Sequence, residues 1–218
     1  MAITYNSLVA QITAYLDRTD PSTLNQIPNF ISQAEERICR ECKTIGLETY
    51  VTGNFTTGVN VLQKPGRWRE NITLNFGTVN TAVIPPTTDK NYVNQLFLRS
   101  YEYIRNYWPD STVLGLPLFY ADYGYNNIIV APTPDQAYPW EWSYLERPLP
   151  LSILNQTNWL TDFAPDIILY GSLLEAIPYL KDNETIAVWQ QYYKSALDSL
   201  NSQDSQRFLD RASNRTQD

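Results

Sequence analysis

Histidine is missing altogether from the 218 residues, and cysteine occurs only twice, in the string Cys39-Arg40-Glu41-Cys42. The first absence removes the commonest acid–base group and metal ligand, so His-based triads and most zinc sites are excluded. The second leaves one Cys-x-x-Cys spacing without the further pair that a zinc ribbon needs, and it reads as two reduced thiols at the end of a helix. Glycine is sparse as well: the eight residues are scattered and form neither a phosphate loop nor a dinucleotide fingerprint. No stretch approaches the ~20 apolar residues that cross a bilayer. Met1-Ala2-Ile3-Thr4-Tyr5 lacks the basic and apolar regions of a signal peptide, so synthesis in a cytoplasm-like compartment and no membrane partner are expected. Positive charge is the last shortage, with 16 Lys and Arg against 23 Asp and Glu, a net charge of −7. That balance argues against a general nucleic-acid binder, which clusters cations to displace phosphate counterions. It is compatible with a wall past which DNA moves without sticking.

What the chain has is apolar and aromatic mass: 43% hydrophobic residues, six Trp and sixteen Tyr, enough for a real core. The pattern changes twice along its length. Tyr5, Leu8, Val9, Ile12, Tyr15 and Leu16 recur at helical spacing, and Asp17 to Pro21 ends that helix. A second helix begins between Ser22, a candidate cap, and Pro28, and runs to about Cys42. Its stripe is Ile27, Phe30, Ile31, Ala34 and Ile38, with Glu35, Glu36, Arg37, Arg40 and Glu41 on the solvent side. From Glu48 the period becomes two: Val51, Phe55, Val59 and Val61, with Gly53 and Gly58 near turns, then Ile72, Leu74 and Phe76 as one buried face. Further strands are expected at Leu96–Leu98, Leu118–Ala121, Ile128–Ala131 and along Trp140, Trp142 and Tyr144, with a short helix at Tyr101–Tyr107 stopped before Pro109.

Helical signals return after Asn158. Pro165 suits a first turn, with Asp162 or Ala164 before it, and Ile167 to Ile177 leave so little polar surface that this helix reads as a central one, closed or kinked by Pro178. The last stripe is Ile186, Trp189, Tyr193, Ala196, Leu197 and Leu200. The resulting fold class is α+β: a four-helix bundle from residues 1–46 and 159–201, an inserted antiparallel β domain at 47–158, and a polar tail at 202–218. That tail is either a frayed terminus or a segment that orders on a partner, anchored by Phe208-Leu209 between Arg207 and Arg211.

A search for chemistry finds no catalytic constellation. Glu141 and Glu146 are a carboxylate pair, but five residues apart on a strand they point to opposite faces. Trp68 between Arg67 and Arg69 suits base or sugar stacking, a packed corner, or part of a protein interface. The aromatic excess suits protein–protein contact, for which Trp68, Trp140, Trp142 and Tyr144 are the candidates. A carbohydrate-binding tail or surface module using Trp140, Trp142 and Tyr144 as a stacking platform is the alternative from a different class.

Two strings carry a resemblance. Ile27-Pro28-Asn29-Phe30-Ile31-Ser32-Gln33-Ala34-Glu35-Glu36-Arg37-Ile38 lies near the N-terminus. Ala164-Pro165-Asp166-Ile167-Ile168-Leu169-Tyr170-Gly171-Ser172-Leu173-Leu174-Glu175-Ala176, followed by Tyr179-Leu180-Lys181-Asp182, lies near the C-terminus. With Asn158-Trp159-Leu160 and Trp189…Tyr193-Lys194-Ser195-Ala196-Leu197, they resemble the head-to-tail adaptors of short-tailed phages. These are core positions of helices, so the likeness is one of fold. It implies a virion protein without enzymatic activity or cofactor, made in the host cytoplasm. It implies a ring of about twelve copies beneath the portal protein, joining capsid to a tail (nozzle) protein around the passing DNA. The helical domain and the C-terminal segment would meet the portal, and the other side would receive tail proteins.

Overall fold

The computed structural model describes the backbone of residues 3–42, 47–77, 95–181 and 184–213, and side chains as far as residue 203. The chain divides into two compact units, one made of residues 1–47 and 147–218 and the other of 48–146. The segment 147–158, read from sequence as the end of the β region, therefore belongs with the helices.

In the helical unit, α1 (Tyr5–Leu16) starts at Thr4, whose hydroxyl accepts from the Ser7 N–H while Ser7 returns the bond, a capping box. Asp17 closes it in the left-handed conformation. One helix was expected next and two are present. Asp20, not Ser22, caps the four-residue α2 (Pro21–Leu24): its carboxylate accepts from the Thr23 N–H at 2.9 Å and from the Ser22 hydroxyl at 2.6 Å. The longer α3 spans Ile27–Glu41, with Cys39 and Cys42 buried near its end and not joined in a disulfide. Asn158 caps α5 (Trp159–Phe163), and Ala164 opens α6 (Pro165–Leu180), so the signal after Asn158 is again two helices in place of one. Pro178 does not stop α6. It has no N–H to donate to the Leu174 carbonyl, yet the helix continues to Leu180, and Lys181 in the left-handed conformation ends it. The last helix, α7, spans Ile186–Ser213.

Helix α6 contacts α1, α3, α5 and α7. Its Ile167, Ile168, Leu169, Leu173, Ala176 and Ile177 are buried, and Leu173 has no exposure at all. Gly171 permits the closest approach: a β-carbon there would stand 3.3 Å from the Ala34 β-carbon and 3.5 Å from the Tyr193 ring. Ile27, Phe30, Ile31, Ala34 and Ile38 of α3 and Tyr5, Leu8 and Ile12 of α1 complete the core. Among the described side chains of α7, which end at residue 203, the last one packed on this core is Leu200, and the backbone is helical to Ser213.

The β unit comprises β1 (Glu48–Asn54), β2 (Val61–Gln63), β3 (Trp68–Phe76), β4 (Phe97–Leu98), β5 (Leu114–Gly115), β6 (Phe119–Asp122), β7 (Asn127–Ala131), β8 (Thr133–Pro134) and β9 (Pro139–Glu146), with α4 (Tyr101–Tyr107) between β4 and β5. One sheet has the order β1-β9-β3, antiparallel throughout; a second has the order β2-β7-β6-β4, antiparallel except that β4 joins β6 in parallel; and β5 and β8 form a short parallel pair. Alternation on β7 explains the layering. Ile128 and Val130 face Leu74, Phe76, Trp140 and Trp142 of the first sheet, while Ile129 and Ala131 face Ile104 of α4. The expected face of Ile72, Leu74 and Phe76 holds only for the last two. Ile72 falls at a register shift between Asn71 and Thr73 and is turned outward. Gly53 is not at a turn but inside β1, opposite Trp140, where a β-carbon would overlap the indole.

Replacing Leu173 by Asp would put an unpaired carboxylate where α6 has no solvent on either side, at a cost of roughly 3–5 kcal/mol. The variant should lose cooperative unfolding in thermal circular dichroism; a native-like melt would contradict the central role of α6.

Candidate interaction surfaces

Trp140, Trp142 and Tyr144 do lie on one face of β9, and that face is the interior of the β unit. Trp142 is fully buried, and its indole N–H donates to the Asn71 side-chain carbonyl, whose amide in turn donates to the Tyr120 hydroxyl. As placed, these rings are packed between sheets, and no sugar or protein partner can stack on them. Trp68 fits the packed-corner alternative. It follows the turn at Arg67, whose guanidinium pairs with Glu146, and the buried Lys64 ammonium sits 3.9 Å from its ring centre while pairing with Asp122 at 2.7 Å. Arg207, Phe208, Leu209 and Arg211 fall on the helical backbone of α7, but their side chains lie outside the described residues.

The exposed aromatic surface of the β unit is elsewhere. Phe97 on β4, Tyr103 and Tyr107 on α4, Trp108 just after α4, and Phe119 on β6 form a connected set with ring centres 4.6–6.4 Å apart. The Arg99 guanidinium lies 5.6–5.8 Å from Phe97, Tyr103 and Phe119. Phe97, Leu98 and Tyr107 are well exposed. Tyr, Trp and Arg packed together at a surface is the composition of an interface centre.

In the helical unit the decisive residue is Glu35, expected on the solvent side of α3 and found buried, with 8% exposure. Its carboxylate accepts from the Leu151 backbone N–H at 3.1 and 3.3 Å and from the Asn158 side-chain amide at 2.9 Å. Asn158 also caps α5 and donates to the Leu149 carbonyl. Arg147 pairs with Glu36. The segment 147–158 is thereby fixed to α3, and the chain beyond its tip is held by the Tyr5 N–H, which donates to the Gln156 carbonyl at 2.7 Å. Burial pushes the Glu35 carboxyl up from the ordinary 4.5 to about 7, against the two donors, with Glu36 adding to the rise.

That tie presents an apolar tip. Ser152 and Asn155 exchange backbone bonds at 2.9 and 3.2 Å, the Gln156 amide donates to the Ile153 carbonyl at 2.8 Å, and the Asn155 amide donates to the Pro150 carbonyl at 2.9 Å. Between those residues Ile153 is 77% and Leu154 98% exposed. On α3 and α6 a separate groove of about 710 Å³ is lined by Asn29, Phe30, Gln33, Glu175, Pro178 and Tyr179, among others. Among the described residues, no group of His, Cys, Asp and Glu is arranged to hold a metal, and no helix is long and apolar enough to cross a membrane.

The family model for the SU10 adaptor protein matches residues 3–217, nearly the whole chain, both helical ends and the β region included. The chain belongs to the SU10 family of tailed-phage head-to-tail adaptors. No curated protein matches it. Membership in that family is consistent with a structural connector role, and the surfaces are read as contacts. The sequence signal for Glu35 was available. It lies four residues after Ile31 and three before Ile38, on the edge of the apolar stripe, where a carboxylate needs a buried partner. That partner, the backbone N–H of Leu151, leaves no mark in sequence.

Because the folded Glu35 carboxyl titrates above its unfolded value, the native adaptor holds the proton more tightly. The stabilisation is complete below about pH 4.5 and is lost as pH rises to about 7, by roughly 3 kcal/mol. Glu35→Gln keeps an oxygen acceptor and should flatten the stability profile across that interval in urea titrations at pH 5 and pH 7.5. Equal losses for parent and variant would show that Glu35 is not the titrating group.

Proposed function

We propose that this adaptor forms a ring beneath the portal, joins the capsid to the tail of the virion, and surrounds the channel through which the genome passes. The family membership is the observation that carries this reading. Several features of the chain support it. The net charge of −7 suits a channel wall that repels passing DNA. Helix α7 has 28 residues against 16 in α6, so at 1.5 Å per residue it is about 18 Å longer than its neighbour. The described apolar contacts of α7 run to Leu200, and the polar stretch beyond is read here as an arm that reaches a partner.

In this reading the portal is engaged by that arm, with Phe208 and Leu209 as its apolar anchor and Arg207 and Arg211, one helical turn apart, as its cations. The tail protein is met by the aromatic surface around Arg99, which takes the place of the buried Trp140, Trp142 and Tyr144. About twelve copies would make the ring, as the family resemblance implies. A head-to-tail ring needs two different complementary surfaces on each subunit.

Removal of Ser202–Asp218 should leave cooperative unfolding in place and weaken attachment to the phage's own portal by about tenfold or more. Native mass spectrometry of the full and shortened chains, each with and without the portal, reads this out. Undiminished docking by the shortened chain would sink the assignment of the arm, and a full chain that stays monomeric with the portal would sink the ring.

A further inference from the structure

We infer that the protein docked on the aromatic surface of the β unit presents an aspartate or glutamate carboxylate to Arg99, beside an apolar side chain that covers the rings. The inference rests on the reading of that surface as the contact with the tail protein, and it names the chemistry the tail protein would bring there.

Arg99 is fixed before any partner arrives. Its backbone N–H donates to the Tyr120 carbonyl at 2.9 Å, continuing the pairing of β4 with β6. Ser100, the next residue, caps α4 by accepting from the Tyr103 N–H at 3.2 Å. The side chain therefore leaves the junction of a strand and a helix, and its guanidinium lies 5.6–5.8 Å from the ring centres of Phe97, Tyr103 and Phe119. A guanidinium already attracted to three rings has less rotamer freedom left to lose on binding.

This cation lacks an anion. Among the described residues no carboxylate pairs with Arg99, whereas Lys64 and Arg67 of the same unit face Asp122 and Glu146. Of the five N–H donors of the guanidinium, one is satisfied by the protein, from Nη1 to the Leu98 carbonyl at 3.0 Å. Arg99 is exposed, so solvent serves the others while the surface is open.

The rings and the charge then make opposite demands. Phe97, Leu98 and Tyr107 are 42%, 56% and 66% exposed, and an apolar surface of this kind marks a contact site. A partner that covers them also takes the guanidinium out of water, and a buried cation left unpaired is strongly destabilising. The partner must return acceptors where it removes solvent. A carboxylate does so best, because its two oxygens match the planar fork of an arginine. A phosphate fits the same fork, but a chain of net charge −7 repels the polyanion that would carry it. An acidic side chain on a protein is the occupant that remains.

The test measures binding of the phage's own tail protein to the full chain and to Arg99→Lys, Arg99→Met, Arg99→Glu and Tyr107→Ser by biolayer interferometry, with circular dichroism to confirm that each variant is folded. Met packs on aromatic rings but carries no charge, so it separates pairing from packing. Arg99→Lys should weaken binding least, Arg99→Met by about thirtyfold or more through faster dissociation, and Arg99→Glu further still. Tyr107→Ser should weaken it by about tenfold or more. Arg99→Met binding as tightly as the parent, while Tyr107→Ser loses affinity, would overturn the carboxylate and leave the tail contact standing. Unchanged binding in all four variants, or none by the parent, would overturn the tail contact as well. Binding of a single-stranded oligonucleotide that requires Arg99 would assign the surface to nucleic acid and overturn the inference.

Discussion

Helix α6 needs neighbours on nearly every side, and the rest of the helical unit is arranged to supply them. A helix with Ile167, Ile168, Leu169, Leu173, Ala176 and Ile177 buried cannot rest against a single partner, because one contact covers only one stripe. It takes α1 and α3 from the beginning of the chain and α5 and α7 from its end. The β unit is therefore an insertion by necessity: residues 48–146 leave from and return to a core that needs both termini. Gly171 marks where this demand is tightest, since Ala34 and Tyr193 approach it from two different helices.

The same unit also depends on one polar joint. Where the chain returns from the insertion, segment 147–158 crosses α3 without regular secondary structure, and its backbone donors have no ladder to satisfy them. Glu35 supplies the acceptor for Leu151 and holds Asn158, which in turn starts α5. Burying a carboxylate for this purpose is costly, and its raised titration is the measure of that cost. Tyr193 and Glu41 make a related pair at the end of α3: the phenol donates to the carboxylate at 2.7 Å, and its own ionisation is pushed well above the ordinary value by burial and by the charge beside it. In both cases a charged residue of α3 ties down a segment distant in sequence.

The architecture was legible wherever hydrophobic period alone decides. The four long helices, the α4 helix and the principal strands follow from spacing, and so does the central place of α6. Short capped helices were missed, because α2 and α5 depend on Asp20 and Asn158 rather than on an apolar stripe. Ile72 was misplaced because the register shift between Asn71 and Thr73 turns it away from the face of Leu74 and Phe76 and leaves no periodic trace of its own. The aromatic residues were the harder case. Trp and Tyr serve cores and interfaces alike, and sequence cannot divide Trp142, sealed between two sheets, from Tyr107, exposed on α4. What separates them is the partner strand, since Trp142 is paired in register with Leu74 and Val51 on either side while Tyr107 ends a helix that packs beside β6.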